Sequence, residues 1–361
     1  MSIKSERTEY IDISKGIGII LMVMGHSLNM NSKLRTFIYL FHMPLFFLIS
    51  GYVIKKDNFY NIKQFVLKKL KSLYLPFLKY TIIFVILHNI FIYFNIYENY
   101  GNTARYDIID FARSILDCFL FRRHGEPLLG TFWFLKTLFL AEVMFILIGN
   151  LINRLTNCDL NIFMGFICFI LFFIGMVLSI KKITIFLNLE RVFVSIFFIY
   201  LGYIYKIIEK NIKYKVDIFL IFIAILLIET LKNNKVDMIS NEFSNPILFL
   251  LDSIIGIYCV FYIAKTINKK YKYKKVIIYI GKNTIIILAL HLLAFKIVNF
   301  VQVIIYKEPY KLISAYPILH FNRGWWILYT IIGVLIPLFI NWIGSKCFLF
   351  YKKNLCRNIK N

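Results

Sequence analysis

Long apolar stretches alternate with short polar breaks along the whole chain. Runs such as Phe163 to Val177 and Ile218 to Ile228 hold no charged residue at all. A hydrocarbon core of about 30 Å needs about 20 apolar residues per helix. The pattern predicts ten membrane spans, over about 13–31, 36–54, 73–95, 131–152, 161–180, 192–205, 216–231, 246–264, 276–300 and 325–345, the sixth being the shortest. The predicted fold class is all-α: a polytopic integral membrane protein, one transmembrane domain over 1–361.

The polar breaks give this stack of spans a direction. The loop 55–72 carries Lys55, Lys56, Lys63, Lys68, Lys69 and Lys71, and the loop 265–275 carries Lys265, Lys269, Lys270, Lys272, Lys274 and Lys275. Basic residues concentrate in short cytoplasmic loops, so both termini are expected inside (N-in, C-in). The longest external loop, about 96–130, is polar and holds Arg105, Arg113, Arg122, Arg123, His124 and Glu126. It suits a lid or an amphipathic helix at the membrane surface. No internal repeat is evident.

Polar groups inside the spans are the candidate chemistry. The first span contains KGIGIILMVMGHSLNM, from Lys15 to Met30. At about 100° and 1.5 Å per residue, eleven residues bring His26 within about 20° of Lys15, roughly 16 Å further along. Asp12 and Met22 share that stripe, with Gly18 beside it. Such a stripe should face the protein interior rather than lipid. His42 and His26 each lie eight residues from Leu34, in the connecting turn, so two antiparallel helices would place them at similar depth, lining one cavity. Pro44 removes a helix hydrogen bond just there. His291 lies in the outer half of the ninth span, and Glu142 near the middle of the fourth.

Each of these groups has a plainer reading. A lone intramembrane histidine also serves to bond a neighbouring helix, and Lys15 at a cytoplasmic helix end is placed to snorkel. Trp133 near a span end fits an aromatic belt. His88, His124 and His320, near external ends, read as structural. A run of lysines before the third span, KKLKSLYLPF with Lys68, Lys69 and Lys71, suits topology and anionic lipid, or the phosphates of a nucleotide-type donor. An unpaired carboxylate such as Glu142 is costly at mid-membrane, which favours a functional role.

Composition agrees with the span pattern. The chain is 60% hydrophobic and only 17% charged, where soluble chains carry about 25% charged residues. The net charge of +24 does not point to nucleic acid, because it is spread over loops. The six cysteines are scattered without a CxxC pair, so neither a metal site nor a disulfide framework is expected. No small-residue cleavage site follows the first span, so it is not read as a removable signal.

Several stretches resemble membrane acyltransferase family 3, the multi-span enzymes that O-acylate sugars of bacterial surface polysaccharides. YIDISKGIGI is similar to that family's I-D-x-x-basic-G-I opening. Lys15 to His26 fits its basic residue, ten others, then histidine, with lysine where arginine is usual. FHMPLFFLISGY resembles the second-helix phrase, FWFLKTLF the W-F-L phrase, and GKNTIIILALHL the late segment ending in histidine. The family's R-x-x-R before the third span appears here as Lys69 and Ser72. The form resembled has no extra hydrolase-like domain.

The resemblance implies an acyl-CoA donor, commonly acetyl-CoA, entering from the cytoplasm, and no permanently bound cofactor. It implies a glycan hydroxyl as acceptor, at or beyond a bacterial inner membrane. By position, His26 is the expected general base or transient acyl carrier, with Lys15 its electrostatic partner toward the donor. Glu142, His42 and His291 join the catalytic candidates, Lys68, Lys69 and Lys71 the donor-binding ones, and Trp133 the acceptor platform. Many spans and buried histidines also suit a transporter or flippase of a lipid-linked sugar, though no inverted repeat or matched pair of broken helices is seen. A glycan polymerase would want a larger external loop.

Overall fold

The computed structural model describes residues 3–99, 101–121, 126–155, 159–232, 236–270 and 274–358. The chain is almost wholly helical. In order the helices are α1 (Ile3–Ser27), α2 (Lys33–Tyr39), α3 (His42–Tyr52), α4 (Ile62–Lys69), α5 (Leu75–Tyr93), α6 (Ile108–Phe119) and α7 (Trp133–Leu155). They continue with α8 (Leu160–Ile180), α9 (Leu189–Ile208), α10 (Val216–Leu231), α11 (Pro246–Lys270), α12 (Lys274–Lys282), α13 (Thr284–Tyr306) and α14 (Trp325–Asn358). A two-residue hairpin, Val236–Asp237 with Glu242–Phe243, interrupts the pattern among the described residues.

Among the described residues, eight helical segments are long and apolar enough to cross a membrane: Lys33–Tyr52, Ile62–Tyr93, Pro127–Leu155, Leu160–Ile180, Phe186–Asn211, Pro246–Lys269, Thr284–Tyr306 and Trp325–Cys347. The molecule is thus an all-α, multi-pass membrane protein. The other two expected spans are also helices, α1 with its Asp12, Lys15 and His26, and α10 with 16 residues.

The most polar of the long helices lies among six others. α1 packs against α2, α3, α11, α12, α13 and α14, and Ile13, Ile19, Met22 and Val23 are buried. Small residues allow the closest approach. A Cβ placed on Gly281 would sit 1.8 Å from the carbonyl oxygen of Asp12, so α12 touches α1 backbone to backbone. Membrane helices associate in this way where no side chain intervenes.

Two expected spans are broken, each for a local reason. The second divides into α2 and α3 at Leu40 and Phe41. Pro44 has no N–H to give the Leu40 carbonyl four residues back. That carbonyl instead accepts the Ser253 hydroxyl of α11 at 2.9 Å. The ninth divides at Asn283, whose backbone leaves helical geometry (φ −113°, ψ 27°). Its side chain donates to the Tyr279 carbonyl and accepts from Asn341 of α14, the competition with helix bonding that asparagine offers.

The third span has a different irregularity. α4 and α5 join through a π-helical turn, Leu70–Tyr74. Pro76, at the start of α5, would clash with the Ser72 carbonyl in a regular α-helix. The wider turn makes room for the proline, and such turns are frequent at functional sites. Between α5 and α7, α6 is capped by Asp107 and packs on α5, with Ile108, Ile109 and Leu116 exposed. It is the amphipathic element expected of that loop; Arg122, Arg123 and His124 lie outside the described residues.

Candidate active site

A cavity of about 280 Å³ lies inside the bundle. Four helices face it with one stripe each. From α1 come Lys15, Ile19, Met22 and His26, from α3 Met43, Phe46 and Ser50, from α7 Leu135, Leu138 and Glu142, and from α13 Thr284, Ile285 and Leu288. The spacings of three, four and seven residues are those of a single helix face. The α1 stripe is therefore the one its periodicity predicts, and it runs roughly 16 Å from Lys15 to His26.

One end of the cavity is ionic. Lys15 pairs with Asp12 at 2.6 Å. Lys69, the last residue of α4, reaches in and meets Glu142 at 2.5 Å. The Ser50 hydroxyl of α3 donates to the same carboxylate oxygen, Oε1. Glu142 is fully buried, and its other oxygen, Oε2, has no partner among the described residues. A buried carboxylate is tolerable when a cation and hydrogen bonds compensate it.

The other end is aromatic and carries His26. Trp133, at the start of α7, and Thr131, in the 3-10 turn just before it, line it with His26. Trp133 is buried at 6% exposure, which corrects the aromatic-belt reading: its ring faces the cavity, not the interface. The Arg191 guanidinium lies 6.0 Å from that ring. His26 is half-buried and open to the cavity, and no hydrogen bond to its ring is formed among the described residues. Its depth is fixed from next door. Ser27 ends α1, and its hydroxyl meets the Trp326 carbonyl and Thr330 of α14 at 3.2 and 3.1 Å.

The remaining candidates separate. His291 packs against His26, ring centres 5.4 Å apart, behind the cavity wall. His42 does not line the cavity: it is buried, with Nδ1 2.9 Å from the Ile38 carbonyl and its ring against Tyr39. The common depth of His26 and His42 does not become a common cavity, because the chain turns at Leu40 and Phe41. Lys68 and Lys71 lie outside as well, in an open surface groove with Gln64, Leu67 and Ser72. Of the three lysines only Lys69 enters.

The histidines read as structural have partners that fit that role. His88 contacts Glu126 at 2.5 Å and the Ala104 carbonyl at 3.1 Å, and stacks on Tyr106. His320 contacts Glu308 at 2.9 Å. Sequence reasoning missed Ser50 and Thr131. Short hydroxyls in apolar runs carry no periodic signal, although Ser50 lies within the FFLISGY phrase.

The bundle thus holds a cavity with cations at one end and an open imidazole at the other. A family model described as an acyltransferase domain, that of membrane acyltransferase family 3, matches residues 8–343. The chain belongs to this family and is an acyltransferase. No curated protein and no solved structure matches it.

Proposed function

We propose that the protein transfers an acyl group, acetyl from acetyl-CoA, to a hydroxyl of a cell-surface polysaccharide or its lipid-linked precursor. The observation that supports this most is the single cavity joining Lys15, Lys69 and Glu142 to His26 and Trp133. Its length suits an extended thioester arm. The donor's phosphates rest on Lys69 and on the outer Lys68 and Lys71, on the cytoplasmic side of a bacterial inner membrane. The arm carries the thioester toward His26, and the sugar meets the Trp133 end.

In this reading His26 takes the proton of the sugar hydroxyl, which neutral imidazole does near physiological pH. The oxygen attacks the thioester carbonyl. The tetrahedral adduct collapses, the C–S bond breaks, and the proton passes from His26 to the departing sulfur. In the variant, His26 itself is acylated first and then gives the acyl group to the hydroxyl.

The test is release of free CoA from acetyl-CoA by the purified protein in lipid nanodiscs, with and without a glycan acceptor. Acceptor-dependent release, lost in His26→Ala, is the expected result. A transporter or flippase releases none, and that outcome overturns the proposal. Labelled acetyl-CoA without acceptor, in a single turnover, separates direct transfer from an acyl-histidine. Mass comparison of surface glycans with and without the gene names the acceptor.

A further inference from the structure

His291 lies on the cavity-facing stripe of α13, seven residues after Thr284 and three after Leu288, but one layer behind the wall. It is fully buried. Its Nδ1 is 3.0 Å from the Ile287 carbonyl and 3.1 Å from the Leu288 carbonyl. Carbonyl oxygens only accept, so Nδ1 carries the ring proton. Nε2 is then a bare acceptor, and it is buried without a partner among the described residues. Such an orphan calls for an explanation.

The neighbouring ring supplies one. The His26 and His291 ring centres are 5.4 Å apart, with planes inclined by 39°. An imidazole nitrogen lies about 1.2 Å from its ring centre, so an edge-on N–H···N bond of about 2.9 Å needs centres about 5.3 Å apart. The spacing is already right. A turn of the His26 ring, which no other described hydrogen bond restrains, brings the two nitrogens into line.

We propose that His291 is a positioning residue for His26: its bare Nε2 accepts the N–H of the His26 ring. This fixes the His26 tautomer and leaves the opposite nitrogen of His26 unprotonated and turned to the cavity. The proposal rests on the reading of His26 as the group that takes the hydroxyl proton. During that step the proton moves from the hydroxyl to the cavity-side nitrogen and later to the leaving sulfur. The N–H shared with His291 stays where it is, so His291 gains and loses no proton. A neutral imidazole suits this place in a membrane. A carboxylate there would bring a buried charge without a counter-charge.

The test reads the tautomer directly. The six histidines are labelled with 15N in the ring, in full-length protein in nanodiscs, and His26→Gln assigns the His26 signals. The expected native spectrum shows His26 as one tautomer, with its N–H in a hydrogen bond. His291→Leu should collapse those signals to an average of two tautomers, and His291→Gln, whose amide oxygen accepts, should restore the single one. A native His26 that already averages, or one unchanged in His291→Leu, overturns the proposal. If His291→Leu also moves the His88 signals, the fold has shifted, and His291→Phe takes its place under the same criterion. In the transfer assay, His291→Leu should lower kcat at least about tenfold with the donor KM unchanged. A fixed tautomer in a protein that never turns over acetyl-CoA would leave the positioning role standing and remove the proposed reaction.

Discussion

Lys69 and Glu142 stand 73 residues apart in the chain and meet at 2.5 Å at the ionic end of the cavity. Lys69 keeps 14% side-chain exposure, while Glu142 has none. Removing one member strands a buried charge, at a cost of about 3–5 kcal/mol. Lys69→Met should therefore melt markedly earlier than the native protein. Lys69→Met with Glu142→Gln should regain most of that loss yet stay inactive. Tryptophan-fluorescence melting and CoA release, run on the same samples, check the two halves separately.

His26 should matter to the reaction and little to the fold, because it opens on the cavity. His26→Ala should lower acyl transfer by about 10²–10⁴-fold, the usual worth of a general base. Its membrane insertion should match the native protein, and its melting should fall only by the loss of the partner for His291, about 1–3 kcal/mol. A transfer rate within tenfold of native would remove His26 from the chemistry.

Trp133 should act on acceptor binding. Its ring lines the His26 end and is remote from the lysines. Trp133→Ala should raise the acceptor KM about tenfold, equal to about 1.4 kcal/mol, and leave the donor KM alone. An effect on the donor KM only would place the two substrates the other way round.

Gly281 leaves no room for a side chain, since its Cβ would lie 1.8 Å from the Asp12 carbonyl. Gly281→Ala must push α12 off α1, a strain of at least about 1–3 kcal/mol. Lower yield of folded protein and earlier melting are expected. Gly344, which has open space around it, is the control position.

Ser253 satisfies the Leu40 carbonyl that Pro44 leaves unpaired. Ser253→Ala should cost about 1–3 kcal/mol, the scale for a stranded buried acceptor. Pro44→Ala returns an N–H to the same carbonyl, so the double variant should melt later than Ser253→Ala alone. Equal melting of the two would show that the carbonyl finds another donor.

The stripe from Lys15 to His26 was legible because one helix sets it by period alone. The pairing of Lys69 with Glu142 was not, since no local rule joins residues on different spans. Lys68, Lys69 and Lys71 look alike in sequence, and which one meets Glu142 depends on how α4 packs against α7. His42 misled for a related reason. Its depth was counted along an unbroken helix, and the break at Leu40 and Phe41 turns it to the Ile38 carbonyl. Proline was visible there, but not the Ser253 hydroxyl that makes the break stable. His291 was visible as an odd polar group. Its bare nitrogen became evident only once the Ile287 and Leu288 carbonyls were seen to hold the other one.

The bond between Ser27 and α14 bridges 303 residues of sequence. The His26 ring next to Ser27 is thus held in register by a helix far along the chain. During synthesis, α1 through α13 can enter the membrane and pack while His26 still lacks this anchor. Under the proposed role of His26, loosening that anchor by Ser27→Ala should weaken acyl transfer while the helices still insert.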